Sequence, residues 1–187
     1  MQTTDLVTGS ISAVTQVSGK SLALAFMDVE TVVLIDTSGS MGACDSRGGQ
    51  SRYNIAVEEL SKLQGANPGK ILVISFSDDV KVCLNGIPHN FMGGTLVGRA
   101  LQYAKQYDLS GMNIIVISDG EPLDPEEALA IARTFTNTIN TIYVGPPDEL
   151  RGREFLQKLA AATGGKTVTA DRAKELASSI NILLLKD

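Results

Sequence analysis

Four short apolar runs, Val32–Ile35, Ile71–Phe76, Asn113–Ile117 and Thr141–Val144, recur along the chain with almost no polar alternation. A strand with one wet face alternates apolar and polar residues, so strands of this kind are covered on both faces. The segments between them have helical spacing. Tyr53, Ala56, Val57, Leu60 and Leu63 fall on one face, as do Val97, Ala100, Leu101 and Ala104. The same holds for Ala128, Ile131, Ala132 and Phe135, and for Phe155, Leu159 and Ala162. A last helix reads Ala173, Leu176, Ala177, Ile180, Leu184. Strands alternating with helices predict an α/β fold built on a parallel sheet. Ser77-Asp78-Asp79 reads as a hairpin turn, which makes Val80–Leu84 a short antiparallel edge strand.

Local punctuation supports these boundaries. Asp124-Pro125-Glu126-Glu127 starts a helix, with Pro in the first turn and acids at the positive dipole end. Gly164-Gly165 stops the helix over Leu150–Thr163. Residues 1–28 form an N-terminal extension. Ile11, Val14, Ser18 and Leu22 are near helical spacing, which suggests an extra helix, although Gly9 and Gly19 weaken it. An extended or partner-dependent segment is the alternative. Residues 29–187 then form one domain of ordinary size.

Composition narrows the function classes. Hydrophobic residues make up 43% of the 187, enough for a full core. The net charge of −5 argues against a general nucleic-acid binder, which needs a basic face for phosphates. Cys44 and Cys83 make no disulfide framework and no CxxC pair, and they read as free thiols in a reducing compartment. The first residues lack a basic segment followed by a long apolar one, and no apolar run approaches the ~20 residues that span a bilayer. The expectation is a soluble, cytoplasmic protein without membrane contact.

The run before Asp36 ends abruptly in Asp36-Thr37-Ser38-Gly39-Ser40. A buried strand therefore delivers one carboxylate and two hydroxyls into a tight loop. Oxygen-only ligands on a sharp turn suit a hard cation such as Mg²⁺. In open α/β sheets, ligands bind beyond the carboxyl ends of strands. A second such end carries Ser118-Asp119-Gly120-Glu121, and Met92-Gly93-Gly94-Thr95 leads into a helix between the two. Asp36, Ser38, Ser40, Thr95 and Asp119 are thus candidates to converge on one point. Taken singly, Asp36 and Ser38 also suit a turn cap, Thr95 an N-cap, and Asp119-Gly120 an ordinary turn. The polar loop 42–51 borders the same rim, and His89, the one histidine, cannot by itself build a zinc site.

Asp-x-Ser-x-Ser, a Gly-Gly-Thr loop and a strand ending in Ser-Asp-Gly, in this order, resemble the von Willebrand factor A domain family and its metal-ion-dependent adhesion site. The resemblance covers about residues 29–185. It implies a doubly wound sheet with Mg²⁺ or Mn²⁺ at its top. Ser38, Ser40 and Thr95 would supply hydroxyl ligands, and Asp36 and Asp119 would act directly or through water. It further implies a non-enzymatic interaction module that captures an Asp or Glu of a partner protein. Intracellular relatives working beside a separate AAA+ ATPase suggest one such setting; this chain carries no GxxxxGK[ST] loop of its own. In some relatives the last helix shifts on binding, and Asp171–Leu185 would be that helix.

The competing class is a Mg²⁺-dependent phosphohydrolase on a similar sheet. An Asp-x-Asp enzyme would carry an acid where this chain has Ser38, and no lysine is placed at the rim to neutralise a phosphate.

Overall fold

The computed structural model describes residues 6–45, 49–89, 92–120, 122–146 and 148–169. In chain order the elements are α1 (Ile11–Ser18), α2 (Leu22–Met27), β1 (Thr31–Asp36), α3 (Arg52–Ala66), β2 (Ile71–Phe76) and β3 (Val80–Val82). They continue with α4 (Val97–Ala104), β4 (Asn113–Ser118), α5 (Pro125–Ala132), β5 (Ile139–Tyr143), α6 (Leu150–Ala161) and β6 (Thr167–Thr169). Single turns of 3-10 helix follow β1 at Gly39–Gly42 and α4 at Lys105–Tyr107. Among these helices none is long and apolar enough to cross a membrane.

The strands form one six-stranded sheet in the order β3-β2-β1-β4-β5-β6. Only the β2–β3 pairing is antiparallel, with Phe76 opposite Val80 across the turn at Ser77–Asp79. The fold is therefore the expected α/β sheet, doubly wound and mostly parallel, with one short antiparallel edge strand. The chain leaves β1 toward β2 and β3, then crosses to β4 on the other side of β1. The crevice at this reversal opens between the carboxyl ends of β1 and β4.

Alternation along the strands divides the core into two layers. Val32, Leu34, Leu72, Ile74, Ile114 and Val116 meet α4, α5 and α6 on one face. Val33, Ile35, Val73, Ile115 and Ile117 meet α3 on the other. The N-terminal segment forms two helices, because Gly19 adopts a left-handed conformation (φ 68) and ends α1. Ile11 and Ala25 join the first layer, and the Ser12 N–H donates to Leu84 O at 2.9 Å, so these helices pack on the main domain.

Some details differ from the pattern reading. The buried stripe of α3 is Ile55, Ala56, Leu60 and Leu63, while Tyr53 and Val57 are half-buried. Tyr53 lies at the layer's margin because its hydroxyl donates to Pro88 O at 2.5 Å. β6 was not expected: Thr167–Thr169 has no apolar run, and it exists by pairing with Thr141–Tyr143. The expected last helix, 171–185, and Glu121 lie outside the described residues.

Asp108 fastens two distant segments. Its carboxylate accepts from the Thr136 N–H (2.7 Å), the Asn137 N–H (3.0 Å), Asn137 Nδ2 (2.7 Å) and Lys105 Nζ (2.7 Å). Burial alone pushes its pKa up, but the Lys105 ammonium and these N–H donors override that and hold it well below the usual carboxylate range. The lowered pKa means that the clamp's contribution is fully present above about pH 4 and fades as pH falls below that. Asp108→Ala is expected to destabilise the fold by about 1–2 kcal/mol in urea unfolding at pH 7, because four half-buried or exposed N–H bonds to one carboxylate are lost together. The gap between the two proteins should narrow on titration from pH 4 to pH 2.

Candidate metal centre

Asp36 is the last residue of β1 and is fully buried. Its Oδ1 accepts the Ser38 N–H at 2.8 Å and its Oδ2 accepts the Ser118 hydroxyl at 2.6 Å. The 3-10 turn that follows places Ser38 at its N-cap without using the Ser38 side chain as a cap. That hydroxyl instead lies 3.1 Å from Ser40 Oγ. Ser40 Oγ in turn donates to Asp119 Oδ1 at 2.9 Å. Asp36, Ser38, Ser40 and Asp119 thus form one connected oxygen cluster at the ends of β1 and β4, as the motif order predicted.

The Gly-Gly-Thr loop is held against this cluster by its backbone. Gly39 N–H donates to Gly93 O at 3.0 Å and Met92 N–H to Thr37 O at 3.1 Å. Gly93 sits at φ 113, and a Cβ there would lie 2.2 Å from Asp78 Oδ2, so only glycine fits. The Gly94 N–H donates to Asp78 Oδ1 at 2.9 Å. Thr95 is 6% exposed and is not the N-cap of α4, a position held by Leu96. Its carbonyl accepts the Leu123 N–H at 2.9 Å. Thr95 shares with Ser40 and Asp119 the wall of a cavity of about 630 Å³. Four of the five predicted residues are therefore bonded together, and Thr95 joins them across the cavity.

Two charged residues at this site were missed in the sequence. Arg52, at the start of α3, is buried and donates from Nη1 to Asp119 Oδ2 at 2.5 Å. Its Nε and Nη2 donate to Asp45 Oδ1 and Oδ2 at 3.0 and 2.6 Å. Both carboxylates raise the guanidinium's pKa further, so it stays charged. The signal was present: a cation in the first turn opposes the helix dipole and calls for an acid nearby. Ser118, quoted only as part of the Ser-Asp-Gly end, also takes part through its hydroxyl on Asp36 Oδ2. The absence of lysine at the rim did not mean the absence of cations, because Arg52 and Arg151 both line the cavity.

The donor set decides what could be held here. Among the described residues no three His, Cys, Asp or Glu side chains gather into a metal-binding group. The cluster consists of two carboxylates and neighbouring hydroxyls, all hard oxygen donors, which fits Mg²⁺ or Mn²⁺ and does not fit zinc or copper. A buried Asp36 also points this way. Burial raises its pKa from 3.8 to about 6, against the opposing hydrogen bonds from Ser118 and Ser38 and with a smaller push from Asp119. An anion held this far from water is stabilised by a cation.

No sequence-family model and no curated protein sequence matches the chain. Solved structures do. An aerotolerance-related membrane protein of Bacteroides fragilis, carrying multiple mutations to serine, superposes at a TM-score of 0.68 with 22% identity, over 83% of this chain and 98% of that one. The manganese-loaded TRAP protein of Plasmodium vivax gives 0.55 with 16% identity, over 83% of this chain and 73% of that one. A von Willebrand factor type A protein of Catenulispora acidiphila gives 0.50 with 16% identity, over 81% of this chain and 41% of that one. The chain has the von Willebrand factor A fold, as its motifs implied.

Two outcomes follow for the metal-free protein. The raised Asp36 pKa contributes stability that is fully present below about pH 4 and lost as pH rises through about 6, a change of about 3 kcal/mol. In EDTA, Asp36→Asn should therefore gain stability relative to wild type between pH 4 and pH 7, as read by urea unfolding. The second outcome concerns Asp119, whose carboxylate is bound to a buried guanidinium. Asp119→Ala leaves the buried Arg52 with Asp45 but without its inner partner, and should destabilise the metal-free fold by about 2–3 kcal/mol.

Proposed function

We propose that the chain is a metal-dependent protein-interaction module. Asp36, Ser38, Ser40, Thr95 and Asp119 would hold Mg²⁺ or Mn²⁺, and an Asp or Glu of a partner protein would complete the shell. The observation that carries this reading is the connected oxygen cluster of Asp36, Ser38, Ser40 and Asp119 opening onto the cavity that Thr95 lines. Neutral hydroxyls quench little of a cation's charge, and each carboxylate already accepts hydrogen bonds from protein donors. A bound ion would keep enough positive charge to attract an external carboxylate. Such a contact fixes orientation more than it sets total affinity. The manganese-loaded TRAP structure, which shares the fold, supports the choice of ion.

The chain is read as non-enzymatic and as an adaptor or subunit of a larger assembly in the cytoplasm. A separate AAA+ ATPase is one candidate for that assembly. A phosphohydrolase is the second reading, and Arg52 and Arg151 on the cavity wall are what favour it. Hydrolysis of a generic aryl phosphate that disappears in Asp36→Asn would establish it.

Thr95→Ala is the cleanest probe, because the Thr95 bond to the rest of the fold runs through its carbonyl, which the substitution keeps. Calorimetric titration with MgCl₂ should show binding by wild type and at least tenfold weaker binding by Thr95→Ala, with little change in melting temperature in EDTA. A pull-down run in Mg²⁺ and in EDTA should retain a partner only with Mg²⁺ and only on wild type. Equal retention in both buffers would sink the metal-bridged mechanism.

A further inference from the structure

Arg52 supplies no ligand in the cation-binding reading above, yet it is a charged side chain only 7% exposed beside the candidate ligands. It occupies the first position of α3, where the helix dipole disfavours a cation. Two carboxylates keep it there. Nη1 donates to Asp119 Oδ2 at 2.5 Å, and Nε and Nη2 span both oxygens of Asp45. The two oxygens of Asp119 therefore do different things. Oδ1 meets the Ser40 hydroxyl at 2.9 Å within the oxygen cluster, and Oδ2 is held by the guanidinium.

We propose that Arg52 is a resident counter-ion that competes with the metal for Asp119 and favours small cations by leaving Asp119 one available oxygen. The proposal rests on the cation-binding reading of the site. A fixed positive charge in contact with a ligand group repels an arriving divalent ion, most strongly where water is excluded. It therefore lowers affinity for any cation. The second effect depends on ion size. Ca²⁺ gathers six to eight oxygens and draws on bidentate carboxylates, whereas Mg²⁺ takes six and keeps several waters. Asp36 is similarly constrained, with Oδ1 on the Ser38 N–H and Oδ2 on the Ser118 hydroxyl. Single carboxylate oxygens and hydroxyls suit the smaller ion. Without metal, the same guanidinium neutralises a carboxylate whose side chain is fully shielded from water.

The test is calorimetric titration of the full chain with MgCl₂ and with CaCl₂, beside melting curves in EDTA, for wild type, Arg52→Met and Asp45→Asn. Arg52→Met should bind Mg²⁺ at least tenfold tighter, gain more for Ca²⁺ than for Mg²⁺, and melt at a lower temperature in EDTA. Asp45→Asn leaves the guanidinium to Asp119 and should bind Mg²⁺ severalfold more weakly. A merely structural arginine would weaken binding in both variants. Folded Arg52→Met with unchanged or weaker Mg²⁺ affinity, beside a wild type that binds, overturns the proposal and leaves the site reading intact. No Mg²⁺ binding by wild type overturns both. Equal gains for the two ions overturn the size preference. If Arg52→Met does not fold, Arg52→Lys replaces it, since lysine cannot span both carboxylates; a larger gain for Ca²⁺ than for Mg²⁺ supports the size preference there too.

Discussion

Two carboxylates, Asp36 and Asp119, are withdrawn from water at the ends of neighbouring strands, and the upper half of the molecule is arranged to tolerate them. A buried carboxylate without partners is costly enough to shift its own protonation. Each is answered by a separate device. Asp36 accepts a backbone N–H from its own loop and a hydroxyl from β4. Asp119 accepts the Ser40 hydroxyl and an ion pair from Arg52 at the start of α3. The loop after β1, the end of β4 and the first turn of α3 are therefore fixed relative to one another by the need to satisfy two acids.

The sheet makes this arrangement unavoidable. β1 pairs with β2 on one side and β4 on the other, in parallel register, with Ile35 opposite Ile117. Parallel neighbours end at the same level, so whatever follows each strand arrives together. The chain's reversal at β1 keeps any helix from filling the gap, which leaves room for loops and a ligand. The Gly-Gly-Thr loop enters the same gap with its backbone close to Asp78 and to the turn at Gly39, and the φ of 113 at Gly93 is one that side chains rarely adopt.

Much of this could be read before any coordinates. The apolar runs located four of the parallel strands, and the turn at Ser77–Asp79 located the antiparallel one. Asp-x-Ser-x-Ser, Gly-Gly-Thr and Ser-Asp-Gly stood at strand ends and helix starts, where the fold brings loops together. What escaped the reading has a common cause. β6 is Thr167-Val168-Thr169, which forms a strand only by pairing with β5. Arg52 belonged to no motif, and Asp45 stood only as part of the polar loop 42–51. Their roles depend on a contact between positions 67 residues apart, Arg52 and Asp119, which no local pattern encodes.

The sequence by itself determined the fold class and the order in which the oxygen donors arrive, because periodicity and turn chemistry act over a few residues. It also restricted the candidate donors to hard oxygen, because serine, threonine and aspartate offer nothing else. The tertiary structure decided which donors touch and which partner each carboxylate oxygen takes. It also decided that a buried arginine shares Asp119. Those outcomes depend on strand register and helix placement, which bring distant residues within 3 Å of each other.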